Sequence, residues 1–288
     1  MKIKNSRKLV QISVLITVII SALAQSIHSL GKVIPWLQES YFHYICPTCG
    51  VVSIYQFFVS QTIWADKVKS ILGLIIAAVI IITIIFGPII CGFICPFGTI
   101  QDLTANIGKK MFRNKYNKFI PKKLDEKFKY LRYVTLIGTV ILTITANVMI
   151  IEAINPYHAF LGIFNAKSIS LIGFGVLVFI IIASLFVQRP WCRYLCPYGA
   201  LLGIFNKFKV FRVIRKDKTC VGCKKCDNRC PMGIDVHNKD FIRDLSCISC
   251  LECVDKSVCP NSKTIVYTSD EIEPDEETNK EEKEMEIN

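Results

Sequence analysis

The sequence predicts an all-α integral membrane bundle of four transmembrane helices, followed by a small α+β domain outside the bilayer. Three observations carry this. Apolar residues make up 52% of the chain while 20% are charged, so greasy and polar material must be segregated along it. Four uncharged stretches each approach or exceed the roughly 20 residues that a helix needs to cross a bilayer. Eight of the 14 cysteines crowd into residues 220–259, after the last of those stretches.

The stretches cover 9–31, 70–101, 133–151 and 168–188. They place spans at about 9–31, 70–94, 133–151 and 168–188 in a membrane domain over 9–206, behind a basic segment 1–8. Segment 40–65 is also uncharged, but Pro47 and Gly50 interrupt it, and it reads as re-entrant or interfacial. Ser21-Ala22-Leu23-Ala24-Gln25 resembles a signal-peptidase site. Apolar residues continue to Leu30, however, so an uncleaved anchor is expected.

Heavily basic loops alternate with light ones, which puts the amino terminus, the 102–132 loop and everything after Arg189 in the cytoplasm. The expected location is the cytoplasmic membrane, crossed several times, with both termini inside. Within the central loop, Lys109, Lys110, Arg113, Lys115, Lys118, Lys122 and Lys123 interleave with Met111, Phe112, Tyr116, Phe119 and Ile120, as in a segment lying on lipid headgroups. The chain has 35 basic and 23 acidic residues, but ten of the acids sit after residue 269. That acidic segment, 267–288, is too polar to bury a core and is expected to be disordered. The basic remainder suits an anionic lipid surface, and no nucleic-acid-binding signature accompanies it.

Thirteen of the cysteines fall in CxxC or CxxxC spacings and five precede proline, which favours metal ligation over disulfides. Segment 91–98 reads CGFICPFG and segment 192–199 reads CRYLCPYG, each after an apolar helix, so the membrane part looks like a helix-pair duplication. The two thiols of each motif are expected to share a helical face that the following proline ends. Brought together at the cytoplasmic boundary, Cys91, Cys95, Cys192 and Cys196 offer four soft thiolates for a further iron–sulfur or other metal centre.

The strongest pattern follows the last span. Cys220, Cys223, Cys226 and Cys230 form CxxCxxCxxxCP, and Cys247, Cys250, Cys253 and Cys259 form CxxCxxCxxxxxCP. This is the two-cluster bacterial ferredoxin arrangement, in which the fourth cysteine of each run ligates the other cluster. Cys220, Cys223, Cys226 and Cys259 are therefore expected to hold one 4Fe–4S cluster, and Cys247, Cys250, Cys253 and Cys230 the second, in a domain over 207–266. Zinc ribbons use CxxC pairs without Cys-Pro. The second run has two extra residues before Cys259, within Val254 to Val258. Small residues at Gly222, Ser249 and Gly233 let backbone approach the sulfurs.

With these motifs, the sequence resembles the membrane-bound 4Fe–4S proteins of the NapH, NosR and CcoG type over roughly residues 70–260. The resemblance implies electron transfer between soluble donors or acceptors, partner redox proteins and a membrane quinone, either menaquinone or ubiquinone. It also implies a role as the electron-transfer component of a quinol dehydrogenase complex, with no catalytic residue assigned in this chain. There is no room for the flavin domain of NosR-type proteins, and no glycine-rich dinucleotide loop is present. A second reading, metalloenzyme maturation or redox sensing, stays open through the CcoG resemblance. Cys46 and Cys49, on the outer side, read as an exchangeable dithiol, a disulfide, part of an outer centre or an incidental pair. The first of these would make the protein a transmembrane thiol reductant. His43, Tyr44, Glu152 and His158 are candidates for proton exchange with a quinone, weighed against ordinary solvated loop residues.

Overall fold

The computed structural model describes residues 3–26, 71–117, 119–146, 154–165, 170–261 and 264–269. Cys46, Cys49, His43, Tyr44, Glu152, the segment 40–65 and residues 270–288 lie outside them. The first helix, α1 (Ile3–Ser26), starts earlier than expected and takes in the basic residues Arg7 and Lys8. Among the described residues it is the one helix long and apolar enough to cross a membrane, over Asn5–Leu23. Shorter apolar helical stretches are Ile76–Phe86 and Leu171–Ser184.

The second expected span is broken. Helix α2 (Ile71–Phe86) stops at Gly87, whose φ of 74° lies in the left-handed region, and Pro88 then starts the short α3 (Ile89–Phe93). The fourth expected span ends in a related way. Helix α8 (Leu171–Ser184) stops four residues short of the expected end at 188, and Arg189, with φ 52°, and Pro190 then open α9 (Pro190–Tyr194). Continuous hydropathy concealed the break at Gly87-Pro88, whereas the one at Arg189-Pro190 lies just past the uncharged stretch that Arg189 closes.

The sequence repeat is thus a structural one. Cys95 and Cys196 are not helical residues on a shared face with Cys91 and Cys192, as the spacing suggested. Each is the residue preceding a new helix, with φ/ψ of −59°/113° and −71°/112°, and its proline occupies the first turn of α4 (Pro96–Phe112) or α10 (Pro197–Ile204). Proline here begins a helix rather than ending one, because the first turn needs no N–H. The backbone bonds match across the repeat: Cys95 N donates to Ile90 O and Cys196 N to Trp191 O, both at 2.9 Å.

Between the copies, α5 (Lys122–Phe128) leads into α6 (Leu131–Ala146), and α7 (Pro156–Asn165) precedes α8. Helix α1 packs on α7 and α4, α8 packs on α4 and α7, and α6 packs on α10. Large apolar side chains point outward from α6 and α8, among them Val134, Ile137, Leu171 and Phe179.

The C-terminal module is built on an antiparallel pair, β1 (Arg212–Arg215) and β2 (Ile265–Thr268), in the register Arg212↔Thr268 to Arg215↔Ile265. Strand β2 runs two residues past the boundary expected at 266, so Tyr267 and Thr268 belong to the module and not to the acidic tail. Its core is Val213, Met232, Ile234, Val236, Ile242, Ile248 and Ile265, with Cys226 and Cys250 buried among them. The module joins the end of α2 through hydrogen bonds. Val210 N donates to Ile84 O at 3.2 Å, Phe211 N to Ile85 O at 2.9 Å, and the Tyr267 hydroxyl to Phe86 O at 3.1 Å. These are carbonyls that a helix C-terminus leaves without an internal partner.

Candidate metal centres

The twelve cysteines among the described residues are free thiols and fall into three groups of four. Cys220, Cys223, Cys226 and Cys259 line one cavity together with Lys224, His237 and Pro260. The two extra residues before Cys259 are absorbed in a turn organised by the buried Asp255. Its carbonyl accepts from Val258 N at 2.8 Å and its carboxylate from Ser257 N at 2.8 Å. Asp227 ties the other wall, accepting from Val236 N at 2.7 Å and His237 N at 2.8 Å.

The second group is Cys230, Cys247, Cys250 and Cys253, which lie within electrostatic reach of one another. Burial, reinforced by the neighbouring Cys250, pushes the Cys230 thiol up to about 12. Burial also takes Cys250 up to about 11, against the pull of Arg7.

The two loops share a backbone signature. The second and fourth residues after the first cysteine of each run have positive φ: Gly222 at 69° and Lys224 at 54°, Ser249 at 47° and Leu251 at 57°. Three of these four are not glycine, so the conformation is imposed by the fold at a steric cost. Alternation of this kind turns successive N–H groups inward to make a nest for a negatively charged group such as a sulfide cage.

Cys91, Cys95, Cys192 and Cys196 make the third group, lining a cavity with Arg132, Trp191, Tyr198 and Cys247. The amide of Gly199 donates to Cys196 Sγ at 3.3 Å and Gln101 Nε2 to Cys192 Sγ at 3.5 Å. Burial is the main cause that pushes the Cys192 thiol up to about 12.

No three His, Cys, Asp or Glu side chains among the described residues converge on a point the size of a single ion. The thiols of the first and third groups are instead spread around cavity walls, as a multi-atom cluster requires and a mononuclear zinc does not. Bare, such buried thiols hold their protons at neutral pH. A cationic iron core supplies the charge that turns them into ligands. The residues present therefore fit 4Fe–4S clusters.

Sequence reasoning missed the charged scaffold around these groups. Arg7 and Arg189 are 3% and 0% exposed, although Arg7 reads from sequence as a topology-setting charge beside the membrane. Arg189 grips Asp102 with two donors, Nε at 3.0 Å and Nη2 at 2.7 Å, and reaches the Cys91 carbonyl at 2.7 Å. Arg7 donates to the same Asp102 at 2.7 Å, to the Gly92 carbonyl at 3.0 Å, and to Glu252 in the second ferredoxin loop. Burial alone would raise the Asp102 carboxyl. The Arg189 and Arg7 guanidinium groups and Gln188 outweigh it and hold the group well below the usual carboxylate range.

The central loop is likewise more than a headgroup-facing segment. Tyr116 donates to Ser184 O at 3.0 Å, and Lys129 donates to Gly233 O at 3.0 Å. Asp125 receives Arg193 and lies 3.3 Å from Lys129. Lys109 is largely buried, which lowers its affinity for a proton. His158 sits half-buried on α7.

Burial tends to raise Asp125, but the Arg193 hydrogen bond and charge, the Tyr194 hydroxyl and Lys129 hold it below its ordinary value. A depressed native value means the stabilisation is complete above the unfolded value of about 4 and is lost as pH falls from there toward the native one. Asp125→Asn is therefore expected to be less stable than the parent chain at pH 7, by a gap that narrows at pH 3. Urea midpoints at both pH values read this, and an equal gap at both contradicts it.

Comparison with known proteins agrees with the thiol groups. A model described as a 4Fe–4S binding domain matches residues 70–115 and 169–217, the two copies of the repeat, and a 4Fe–4S dicluster domain matches 212–260. An uncharacterised protein of Methanocaldococcus jannaschii is 35% identical over 184 residues, covering 64% of this chain and 74% of that protein. The ferredoxin-type protein NapH of Haemophilus influenzae is 26% identical over 207 residues, 68% of this chain and 69% of NapH. YccM of Escherichia coli is 29% identical over 200 residues, 68% of this chain, and the chain spans only 55% of its length. No solved structure matches. The chain belongs to the family of ferredoxin-type 4Fe–4S proteins that includes NapH, NosR and NirI.

Proposed function

We propose that this chain is a membrane-anchored electron-transfer protein with three 4Fe–4S centres, linking a soluble redox partner in the cytoplasm to a quinone in the bilayer. Cys220, Cys223, Cys226 and Cys259 would hold the first cluster, Cys230, Cys247, Cys250 and Cys253 the second, and Cys91, Cys95, Cys192 and Cys196 the boundary centre. The observation that carries the reading is the position of Cys247. It belongs to the second thiol group and also lines the cavity of the third, so the two sites share a wall.

Bound clusters of this type supply reversible one-electron storage. The chain's own residues supply spacing, burial and charge. Ile90, Phe97, Met232 and Ile248 exclude water around the boundary thiols, and Cys91 packs against the module core. The outward apolar faces of α1, α6 and α8, with Ile12, Ile16, Val134, Ile137, Leu171 and Phe179, support contact with lipid. The alternation of basic loops supports four spans with both termini inside.

Anaerobic purification with iron and acid-labile sulfide counting tests the assignment. About twelve irons are expected for three cubanes, falling to about eight in the Cys91→Ser, Cys192→Ser double variant. About eight in both samples removes the boundary centre, and a colourless, iron-free protein removes the whole reading.

A further inference from the structure

Besides its thiols, the boundary cavity is lined by the polar side chains of Arg132, Trp191, Tyr198 and Ser246, and the first two carry donors that are unpaired among the described residues. Arg132 is 2% exposed, and its Nη2 donates to the Tyr133 hydroxyl at 3.0 Å. Its Nε is also buried and has no partner among the described residues. Trp191, on the same cavity, presents a second buried donor without a partner there, the indole Nε1. The ring is held firmly, edge-on to Phe97 at 6.4 Å, while the Trp191 amide donates to Gln101 Oε1 at 3.2 Å. A buried N–H with nothing to donate to loses its water without return. Two of them on one cavity of four thiols indicate an acceptor inside it.

We infer that Arg132 Nε and Trp191 Nε1 are hydrogen-bond donors to the sulfurs of the boundary centre and set its redox potential. The inference rests on the reading that Cys91, Cys95, Cys192 and Cys196 hold a cluster, and adds the two residues that tune it. Reduction places one electron on such a group and takes up no proton, so its sulfurs gain negative charge. Donors aimed at them, one carried by a guanidinium cation, favour the reduced form and raise the potential. The boundary centre and the second group each have a backbone donor to one sulfur, Gly199 N to Cys196 Sγ at 3.3 Å and Ile234 N to Cys230 Sγ at 3.4 Å, and the buried side-chain donors of Arg132 and Trp191 are additional to the first.

The test uses the full chain, purified anaerobically and titrated with dithionite and redox mediators under electron paramagnetic resonance. Trp191→Phe keeps a ring against Phe97 and deletes only the N–H, while Arg132→Lys keeps the charge and deletes Nε. In each variant the iron count should equal that of the parent. At a fixed poise the reduced-to-oxidised ratio of the boundary signal should fall about tenfold, a shift of ~59 mV for a one-electron couple. The other two signals should not move. An unmoved boundary potential in both variants, or loss of its iron in both, overturns the inference. Should Arg132→Lys fail to fold, Trp191→Phe decides alone. A boundary signal missing already from the parent chain defeats the cluster assignment itself, which the iron count detects separately.

Discussion

Asp102→Asn is expected to be among the most damaging single substitutions in this protein, lowering stability by about 3–5 kcal/mol. Asp102 is the carboxylate shared by Arg7 and Arg189, whose side chains are 4% and 0% exposed. Asparagine is nearly isosteric and leaves the packing intact, but it leaves Arg189 without a counter-charge among the described residues and Arg7 with Glu252 alone, in a place where water cannot reach them. The damage should be local first. Arg189 supports the Cys91 carbonyl, and Arg7 together with Gln11 the Gly92 carbonyl, so the 91–95 segment loses the two arginine supports. Thermal unfolding in detergent and limited proteolysis of the parent and variant read the loss. A midpoint within a degree or two of the parent would show that the arginines find other partners.

Gly92→Ala is the second large effect. A methyl group there would lie 2.7 Å from the Ile248 carbonyl oxygen and 3.1 Å from Cys250 Cα, both backbone atoms with no rotamer to yield. Helix α3 and the second ferredoxin loop must separate, at a cost of about 1–3 kcal/mol by analogy with overpacked cores. The outcome differs from that of Asp102→Asn in what is lost. The second cluster should become labile, with up to about four of its irons missing, while the Cys220 group, which contributes none of the atoms nearest Gly92, keeps its own. Iron counting with spectra of the two ferredoxin-module clusters distinguishes this from general unfolding, and full retention of both contradicts the close approach.

How much of this was legible beforehand depended on distance along the chain. The eight module cysteines were readable because six of them sit in two tight triplets and the crossing partners, Cys230 and Cys259, are flagged by proline. The repeat of CGFICPFG and CRYLCPYG likewise paired four thiols in sequence, and Cys91, Cys95, Cys192 and Cys196 line one cavity. Arg7, Asp102, Arg189 and Glu252 were not readable. They are scattered from one end of the described chain to the other, and Arg7 and Arg189 look in sequence like charges flanking a membrane. The break at Gly87-Pro88 was hidden by hydropathy, which counts apolarity and ignores dihedral angles. Nor could spacing announce that Trp191 and Arg132 belong to one cavity, since neither residue type marks a ligand site on its own.

The junction between α2 and the module has a consequence for biogenesis. The last carbonyls of that helix are capped by Val210, Phe211 and Tyr267, the last of these 181 residues downstream. Until the ribosome has delivered Tyr267, the helix end remains chemically unfinished and lacks these partners. Maturation of the helical half and closure of the two-stranded sheet are then a single late event, and a chain arrested before that strand would present an open, quality-control-sensitive intermediate.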